Sequence, residues 1–340
     1  MCRILFFLAV HLTLFIPATV TSQYISSGFV MENNSSTPLE GVSVFYDGTS
    51  IGTITDEKGY FEMETSKPIS ALLVISYLGF ESQVFDVGRK EFLGTILLKE
   101  KAFELNEVVL KPDTWSREKK LTVFRGEFLG KTQAALACRI TNESDIRLYY
   151  NSEKDVLYAY AEVPIQVINK YLGYKIAYNL RDFEVQFGTN GNGLHVSKST
   201  YTAGTIFFSE RNENKIKKRY LKNRTKTYLG SVLHFMRSLA QNRVQEENYK
   251  IFKNRLQVAA HSEFQIRKND GLTEVNPLTD SLTILYDDIF QSPITIDSTN
   301  FFIDAYGNHA PPQGIYFGGV MGMQRVANML PLNYSSPKLN

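Results

Sequence analysis

The stretch GVSVFYDGTSIGTITDEKGYFEM, residues 41–63, decides the fold expected for the first part of this sequence. Short runs rich in Val, Tyr, Phe, Ile and Thr alternate with Asp47-Gly48 and with the polar residues 56–59. β-Branched and aromatic residues favour strands, and Asp-Gly pairs favour tight hairpin turns. The stretch therefore predicts the short strands of a small β-sandwich. It contains none of the groups that hydrolytic or redox chemistry needs.

Similar strand-like runs recur on both sides of this stretch, at intervals of about ten residues. They cover residues 24–31, 42–46, 50–55, 60–64, 71–77, 81–87 and 93–98. Seven short strands at that spacing are typical of a sandwich. We predict a seven-stranded β-sandwich over residues 23–98, within a chain that is mainly β with some α, an α+β class.

Residues 1–22 have the features of a signal peptide. A positive charge is followed by an apolar run over residues 4–16, and Val20-Thr21-Ser22 provides suitable side chains before a cleavage site. The run is shorter than the roughly 20 residues that a membrane-spanning helix needs. We expect cleavage near Ser22/Gln23 and export to the periplasm or the outer membrane. An uncleaved N-terminal anchor is the alternative, and a lipoprotein signal is disfavoured because Cys2 precedes the apolar run.

The composition is that of a globular protein, with 43% hydrophobic and 21% charged residues. The formal net charge is +2, and loss of Arg3 with the signal would leave +1. No overall field therefore favours nucleic acid as a partner. Cys138 would be the only cysteine after cleavage, so we expect no internal disulfide. Its apolar context, AALACRI, favours a buried small side chain over a reactive thiol.

A linker is predicted over residues 99–118, between two domains. Residues 105–110, LNEVVL, are a candidate edge strand, and Pro112 ends it because proline lacks a backbone donor. We place the domain boundary between Leu98 and Arg117, and we assign residues 119–340 to a second, α+β domain.

Two amphipathic helices are predicted in that second domain. The first has Leu121, Phe124, Phe128 and Leu129 on one face. The second has a longer apolar stripe, with Thr225 or Thr227 as a candidate cap; the stripe comprises Tyr228, Val232, Phe235, Met236 and Leu239. The strand candidates are residues 146–150, 156–163, 174–179, 183–187, 204–209, 256–259, 282–286 and 315–317.

A basic run leads into the second helix. Seven cations lie within twelve positions: Lys215, Lys217, Lys218, Arg219, Lys222, Arg224 and Lys226. Such a run is a candidate surface for lipopolysaccharide phosphates or anionic lipid, at roughly 1 kcal/mol per cation near such a surface. The alternative is a solvated loop that binds nothing.

The N-terminal segment resembles the carboxypeptidase-like regulatory domain, a transthyretin-like β-sandwich of exported bacterial proteins. The matching residues are Gly28-Phe29-Val30, Pro38-Leu39-Glu40-Gly41-Val42, Gly48-Thr49, Gly52-Thr53, Thr55-Asp56, Gly59-Tyr60-Phe61, Ser76-Tyr77-Leu78-Gly79-Phe80 and Leu105-Asn106-Glu107-Val108-Val109. The same module precedes the plug and barrel of TonB-dependent receptors in Bacteroidota-type bacteria. The residues that follow here are too few for a barrel of about 22 strands, so we expect neither plug nor barrel.

The remainder resembles a shorter family of exported proteins with the same first domain. The resembling segments are Glu127-Phe128-Leu129-Gly130, Ile168-Asn169-Lys170-Tyr171-Leu172-Gly173-Tyr174, Tyr228-Leu229-Gly230-Ser231 with His234-Phe235, and Leu330-Pro331-Leu332-Asn333-Tyr334. This second resemblance implies no particular activity.

No catalytic, cofactor or metal site is predicted from the residue pattern. A zinc carboxypeptidase needs two imidazoles and a carboxylate on one metal, but the five histidines are scattered and none has Glu or Asp at i+3. His234, beside the apolar stripe, is expected to be a packed structural histidine. No G-x-S-x-G is present. Asp287-Asp288 is expected in a solvated loop, since adjacent strand residues face opposite ways.

The sequence therefore favours a non-enzymatic envelope protein that acts as a protein- or ligand-interaction module. We expect an envelope protein or a glycan as its partner, and possible peripheral contact with the anionic outer-membrane surface, with no cofactor. One alternative is a hydrolase or glycan-processing enzyme with a site of scattered residues in 120–340. Another is a carbohydrate-binding module that uses Tyr171, Tyr174 or Tyr201.

Overall fold

All seven strands predicted for the N-terminal sandwich are present. A computed structural model describes residues 24–87, 91–101, 113–212, 215–269 and 271–336. The strands are β1 (Tyr24–Glu32), β2 (Ser43–Tyr46), β3 (Gly52–Ile54), β4 (Tyr60–Thr65), β5 (Leu73–Ser76), β6 (Gln83–Phe85) and β7 (Phe92–Leu98). They form a three-stranded sheet in the order β4-β1-β7 and a four-stranded sheet in the order β3-β2-β5-β6. The predicted signal peptide and the edge strand at 105–110 lie outside the described residues.

The quoted stretch folds as its residues suggest, with one informative departure. Val42 and Val44 are buried in the sandwich core, as alternation predicts. Phe45 should then face solvent, but it is buried as well, because its ring packs on Phe207 at 5.0 Å between centroids. Both faces of β2 are therefore covered, the outer one by a part of the chain about 160 residues away in sequence.

The centre of the molecule is one antiparallel sheet with a long hairpin. After α1 (Arg117–Phe128) and α2 (Gln133–Leu136) come β8 (Cys138–Ile140), β9 (Ile146–Asn151), β10 (Val156–Ala161), β11 (Ile165–Asn169), β12 (Tyr174–Thr189) and β13 (His195–Glu210). The order is β8-β11-β12-β10-β9, with β13 paired to β12 along its length. Phe124 and Phe128 of α1 lie in the core of this sheet, which confirms the first predicted helix.

The second predicted helix is wrong in extent and in its cap. The structure has two helices there, α3 (Lys218–Tyr228) and α4 (Val232–Ala240). Gly230 between them has φ +75°, a left-handed conformation that ends a helix and suits glycine. Ser231, not Thr225 or Thr227, caps α4 by accepting a hydrogen bond from the His234 N–H. The basic run, for which a solvated loop was the alternative to a binding surface, forms most of α3.

Two further sheets complete the described part of the chain. Their strands are β14 (Tyr249–Lys253), β15 (Leu256–Val258), β16 (Phe264–Asn269), β17 (Leu272–Pro277), β18 (Ser281–Tyr286), β19 (Phe290–Ile296), β20 (Phe301–Ile303), β21 (His309–Ala310) and β22 (Ile315–Phe317). The orders are β15-β14-β18-β19-β22 and β16-β17-β20-β21. These sheets and α4 share one core, next to which lie α5 (Ala260–Glu263) and α6 (Gly319–Gly322). Asp287-Asp288 lies in the exposed β18–β19 turn, as expected.

The sandwich is held to the rest of the molecule through its Asp47-Gly48 turn. The Gly48 N–H donates to the Ile206 carbonyl at 2.8 Å, and the Asp47 carboxylate accepts from the Ile206 N–H at 2.6 Å. On the other side, the Leu332 N–H donates to the Gly48 carbonyl at 2.7 Å. One turn thus joins β13 and the C-terminal segment.

The described residues contain no helix that has both the length and the apolar character needed to cross a bilayer. About 45% of the residues are in strands and 18% are helical, which confirms the predicted α+β class. The residues after the sandwich pack around two cores, one under α1 and one under α4. The predicted limits of the linker and of the C-terminal domain stay predictions.

Candidate functional site

The basic residues of α3 lie on one side of the helix because of their spacing. Tyr220, Arg224 and Tyr228 are four residues apart and buried against the rest of the molecule. Positions two residues earlier on a helix point the opposite way, about 200° round the axis. Three lysines occupy those positions, and all are exposed: Lys218, Lys222 and Lys226. We call these three side chains the lysine stripe.

The structure separates the seven predicted cations into six exposed residues and one anchor. Arg224 is only 3% exposed, and its guanidinium forms a bidentate pair with Glu210 at 2.7 Å for both contacts. It also donates to the Leu172 carbonyl and lies 3.8 Å over the Tyr174 ring. Arg224 therefore attaches α3 to the central sheet and is not part of the exposed surface.

The six exposed cations have no ion-pair partner among the described residues. This set comprises the lysine stripe together with Lys215, Lys217 and Arg219. The first turn of α3 has no acidic residue, and its N-terminal residue Lys217 makes no side-chain capping bond. Like charges four residues apart destabilise a helix by about 0.2–0.5 kcal/mol per pair. The arrangement is thus unfavourable for the isolated chain and concentrates positive potential at one surface.

An apolar pocket of about 510 Å³ adjoins the C-terminal end of α3. Lys226 and Leu229 line it from the helix side, and Phe290, Val320 and Met323 line it from the other side. Met323 is 63% exposed and Phe290 44%. The lysine stripe therefore ends at a solvent-accessible apolar surface.

A larger groove, of about 810 Å³, lies between the sandwich and the central hairpin. Tyr201 of β13 and Tyr316 of β22 line it, and each is 52% exposed. Asp47 also lines this groove, and burial raises the pKa of its carboxyl to about 6. Of the tyrosines predicted for sugar binding, only Tyr201 is exposed: Tyr174 is buried and Tyr171 packs against the core.

The four histidines in the described part of the chain are not gathered into one site. His234 is buried; its Nδ1 accepts from the Gly230 N–H at 3.1 Å, and its Nε2 lies 3.3 Å from Glu247. Burial lowers the pKa of His234. These contacts fit the structural histidine expected there. Within the described ranges, no group of three or more His, Cys, Asp or Glu side chains has the geometry to hold a metal ion.

A second histidine pairs with a carboxylate at the far end of the hairpin. The Asp155 carboxylate accepts from the Tyr150 hydroxyl at 2.6 Å and contacts His195 Nε2 at 2.8 Å. Phe187 stacks on the imidazole. The pair is held by aromatic packing, and none of its hydrogen bonds involves a serine, threonine or cysteine side chain.

Cys138 is half-buried against the core of the central sheet, and burial raises the pKa of its thiol to about 12. A thiol with that pKa stays protonated and is a poor nucleophile at neutral pH. Its placement agrees with the packing role expected from the sequence.

The sequence did not predict a helix over the basic run, because a charged residue interrupts the apolar repeat that usually identifies a helix. The apolar members of the buried stripe are only Tyr220 and Tyr228, and the residue between them is an arginine. Two sets of residues repeat every four positions over 218–228, as on two opposite faces of a helix. One set is Lys218, Lys222 and Lys226, and the other is Tyr220, Arg224 and Tyr228. Counting Arg224 as a buried residue would have revealed it.

Comparison with known proteins supports the resemblance noted for the N-terminal segment. A family model, the CarboxypepD_reg-like domain, matches residues 26–110. No relative is found among curated proteins.

Two solved structures are similar over a limited part of the chain, both crystal structures of interface mutants of the type II cohesin–X-dockerin complex from Acetivibrio cellulolyticus. For the C-terminal interface mutant the identity is 23% and the TM-score 0.20, over 22% of this chain and 56% of that chain. For the N-terminal interface mutant the identity is 21% and the TM-score 0.20, over 22% of this chain and 57% of that chain. This chain thus matches little more than half of the length of either.

The family match covers the turns quoted at the outset and all seven strands except the first two residues of β1, so residues 26–110 of this chain are similar to the CarboxypepD_reg-like domain.

Proposed function

We propose that this chain is a non-enzymatic exported protein of the cell envelope that attaches to an anionic membrane surface through α3. The observation that carries the proposal is the lysine stripe with its three neighbouring cations, all exposed and without ion-pair partners in the described part of the chain. Arg224 and Glu210 fix the opposite side of the helix, so the cations are presented on a rigid support. The sandwich, docked through its Asp47-Gly48 turn, then serves as an interaction module held at that surface.

Two buried acid–base groups, His234 and Asp304, are engaged in contacts inside the fold. His234 uses both ring nitrogens in contacts inside the fold. The Asp304 carboxylate accepts from the backbone N–H groups of Ser70, Tyr306 and Asn308. Groups engaged in this way position backbone segments of the fold.

Vesicle co-sedimentation tests the proposal. The wild-type chain should bind phosphatidylglycerol vesicles at low salt, bind phosphatidylcholine vesicles far less, and dissociate as salt screens the charges. Replacing the lysine stripe (Lys218→Gln, Lys222→Gln, Lys226→Gln) should weaken partitioning about 100-fold, since each cation contributes about 1 kcal/mol.

A matched control has the same change in net charge elsewhere. Lys58, Lys154 and Lys268 are exposed and lie on other elements, so Lys58→Gln, Lys154→Gln, Lys268→Gln should leave partitioning within a few-fold of wild type. If the two triple variants lose vesicle binding equally, net charge alone explains the binding, and the proposal is contradicted.

A second candidate function rests on the groove of about 810 Å³ with its two half-exposed tyrosines. Exposed aromatic rings beside polar groups suit a glycan partner. A glycan array probed with wild type and with Tyr201→Ala tests it: signals lost in the variant support glycan binding, and a silent array dismisses it.

A further inference from the structure

The apolar pocket at the end of α3 has the size and composition of a ligand site. Its volume of about 510 Å³ lies within the range of small-molecule pockets, roughly 300–1,000 Å³. Its apolar lining comes from five separate parts of the chain: α2, the β11–β12 turn, the link between α3 and α4, the β18–β19 hairpin, and α6 with the residue that follows it.

Several of the apolar side chains that line the pocket are exposed to solvent. Phe290 and Met323 line it and remain largely accessible. Val320, a third apolar residue of the lining, is also exposed. Clustered exposed apolar residues mark binding surfaces more often than single ones do, and methionine adapts its shape to flexible apolar ligands.

A positive charge stands at the rim of this pocket. Lys226 lines it directly, and Lys222 lies one helical turn, about 5.4 Å, further along the same face. Asp287 is the only acidic residue in the lining, and it forms no ion pair with Lys226. Lys226 thus remains available to an anion whose apolar part enters the pocket.

We propose that this pocket binds one acyl chain of an anionic lipid, with the lipid phosphate held by Lys226 and Lys222. The inference rests on the proposed attachment of α3 to an anionic membrane, and it assigns the ligand class. Apolar lining favours the hydrocarbon chain, and the lysine stripe favours a head group with a net negative charge over a zwitterionic one. A lipid bound in this way is anchored by two kinds of contact, of which only one is sensitive to salt.

Calorimetric titration with soluble alkyl phosphates, below their micelle concentrations, tests the inference on the wild-type chain. Dodecyl phosphate should bind at least tenfold more tightly than octyl phosphate, because each buried methylene is worth up to about fourfold in affinity. Inorganic phosphate should show no binding at the same concentrations, and dodecylphosphocholine should bind at least tenfold more weakly than dodecyl phosphate. Equal affinities for the two chain lengths, or for the two head groups, would overturn the inference.

Variants locate the site. Met323→Gln combined with Phe290→Gln should weaken dodecyl phosphate binding at least tenfold, and both residues are exposed enough for the fold to tolerate the change. Leu194→Gln, an equally exposed apolar position in the β12–β13 loop, is the control and should bind as wild type does. Unchanged affinity in the double variant would show that the alkyl chain of dodecyl phosphate does not bind in this pocket.

The two proposals fail separately. If the pocket variant binds dodecyl phosphate normally while loss of the lysine stripe still abolishes vesicle binding, the acyl-chain site is wrong and the surface attachment stands. If vesicle binding survives loss of the lysine stripe, the surface attachment is wrong, whatever the pocket binds.

Discussion

The neighbouring helices α3 and α4 are built on opposite principles, although only three residues separate them. In α4 a serine caps the first turn, and five of nine residues are buried, which places the helix in the core of the C-terminal sheets. In α3 the N-terminus lacks a side-chain cap, only three of eleven residues are buried, and one of those three is a charged anchor. Packing explains the sequence of α4. It explains only the inward side of α3, so the outward side is where function is to be sought.

The largest expected effect comes from breaking the inward side of α3. Arg224→Ala leaves Glu210 without its bidentate partner and should lower the free energy of unfolding by about 3 kcal/mol or somewhat more. Lys222→Ala, two residues away on the outward side, should change it by less than about 0.5 kcal/mol. Urea unfolding of the two variants measures both. Similar losses would show that the two sides of the helix do not differ in the way described.

The caps provide a smaller and reciprocal test. Ser231→Ala removes the oxygen that accepts from the His234 N–H, and it should destabilise the protein by about 1 kcal/mol. Lys217→Asp gives α3 the side-chain cap that it lacks and places a negative charge at its N-terminus, and it should stabilise the protein by about 0.5–1 kcal/mol. The same change should weaken vesicle binding, because it reverses a charge beside the lysine stripe. Thermal unfolding measures the change in stability, and co-sedimentation measures the change in vesicle binding. A variant that is more stable and also binds vesicles more tightly would contradict the account.

The smallest expected effect is a pH dependence that belongs to α4 and not to α3. Burial lowers the pKa of His234 below its ordinary value of 6.5, while Glu247 offsets part of that shift. The unfolded chain then binds more protons, so stability should decrease as the pH falls below about 6.5. Tyr228, Tyr249 and Tyr286 surround the ring, and Arg237 and Arg243 oppose its protonation.

The difference between wild type and His234→Gln isolates this group. Burial also lowers the pKa of His309, to about 4, with the same sign, but that contribution cancels in the difference. Between pH 7.5 and 5, the urea concentration at the unfolding midpoint should decrease less steeply with falling pH in the variant than in wild type. Parallel curves would show that His234 has the same pKa in the folded and unfolded states, which would contradict the effect of burial.

The sandwich was predictable because local rules determine it. Alternating apolar residues and Asp-Gly or Gly turns set strand lengths and order between residues 24 and 98. The covered outer face of β2 was not predictable, since it depends on Phe207 from a distant strand. The same holds for α3, whose inward side is completed by Glu210 and the Leu172 carbonyl. The residues of the basic surface could be named from the sequence, but the burial of Arg224 and the pocket beside Lys226 depend on tertiary contacts.

The central claim is that the outward side of α3 contacts an anionic membrane, and lysine acetylation footprinting measures this directly on the unmodified chain. The lysine stripe should react several-fold more slowly when phosphatidylglycerol vesicles are present, while Lys58, Lys154 and Lys268 should react at unchanged rates. Uniform protection of all six lysines, or no protection of Lys218, Lys222 and Lys226, would contradict the account.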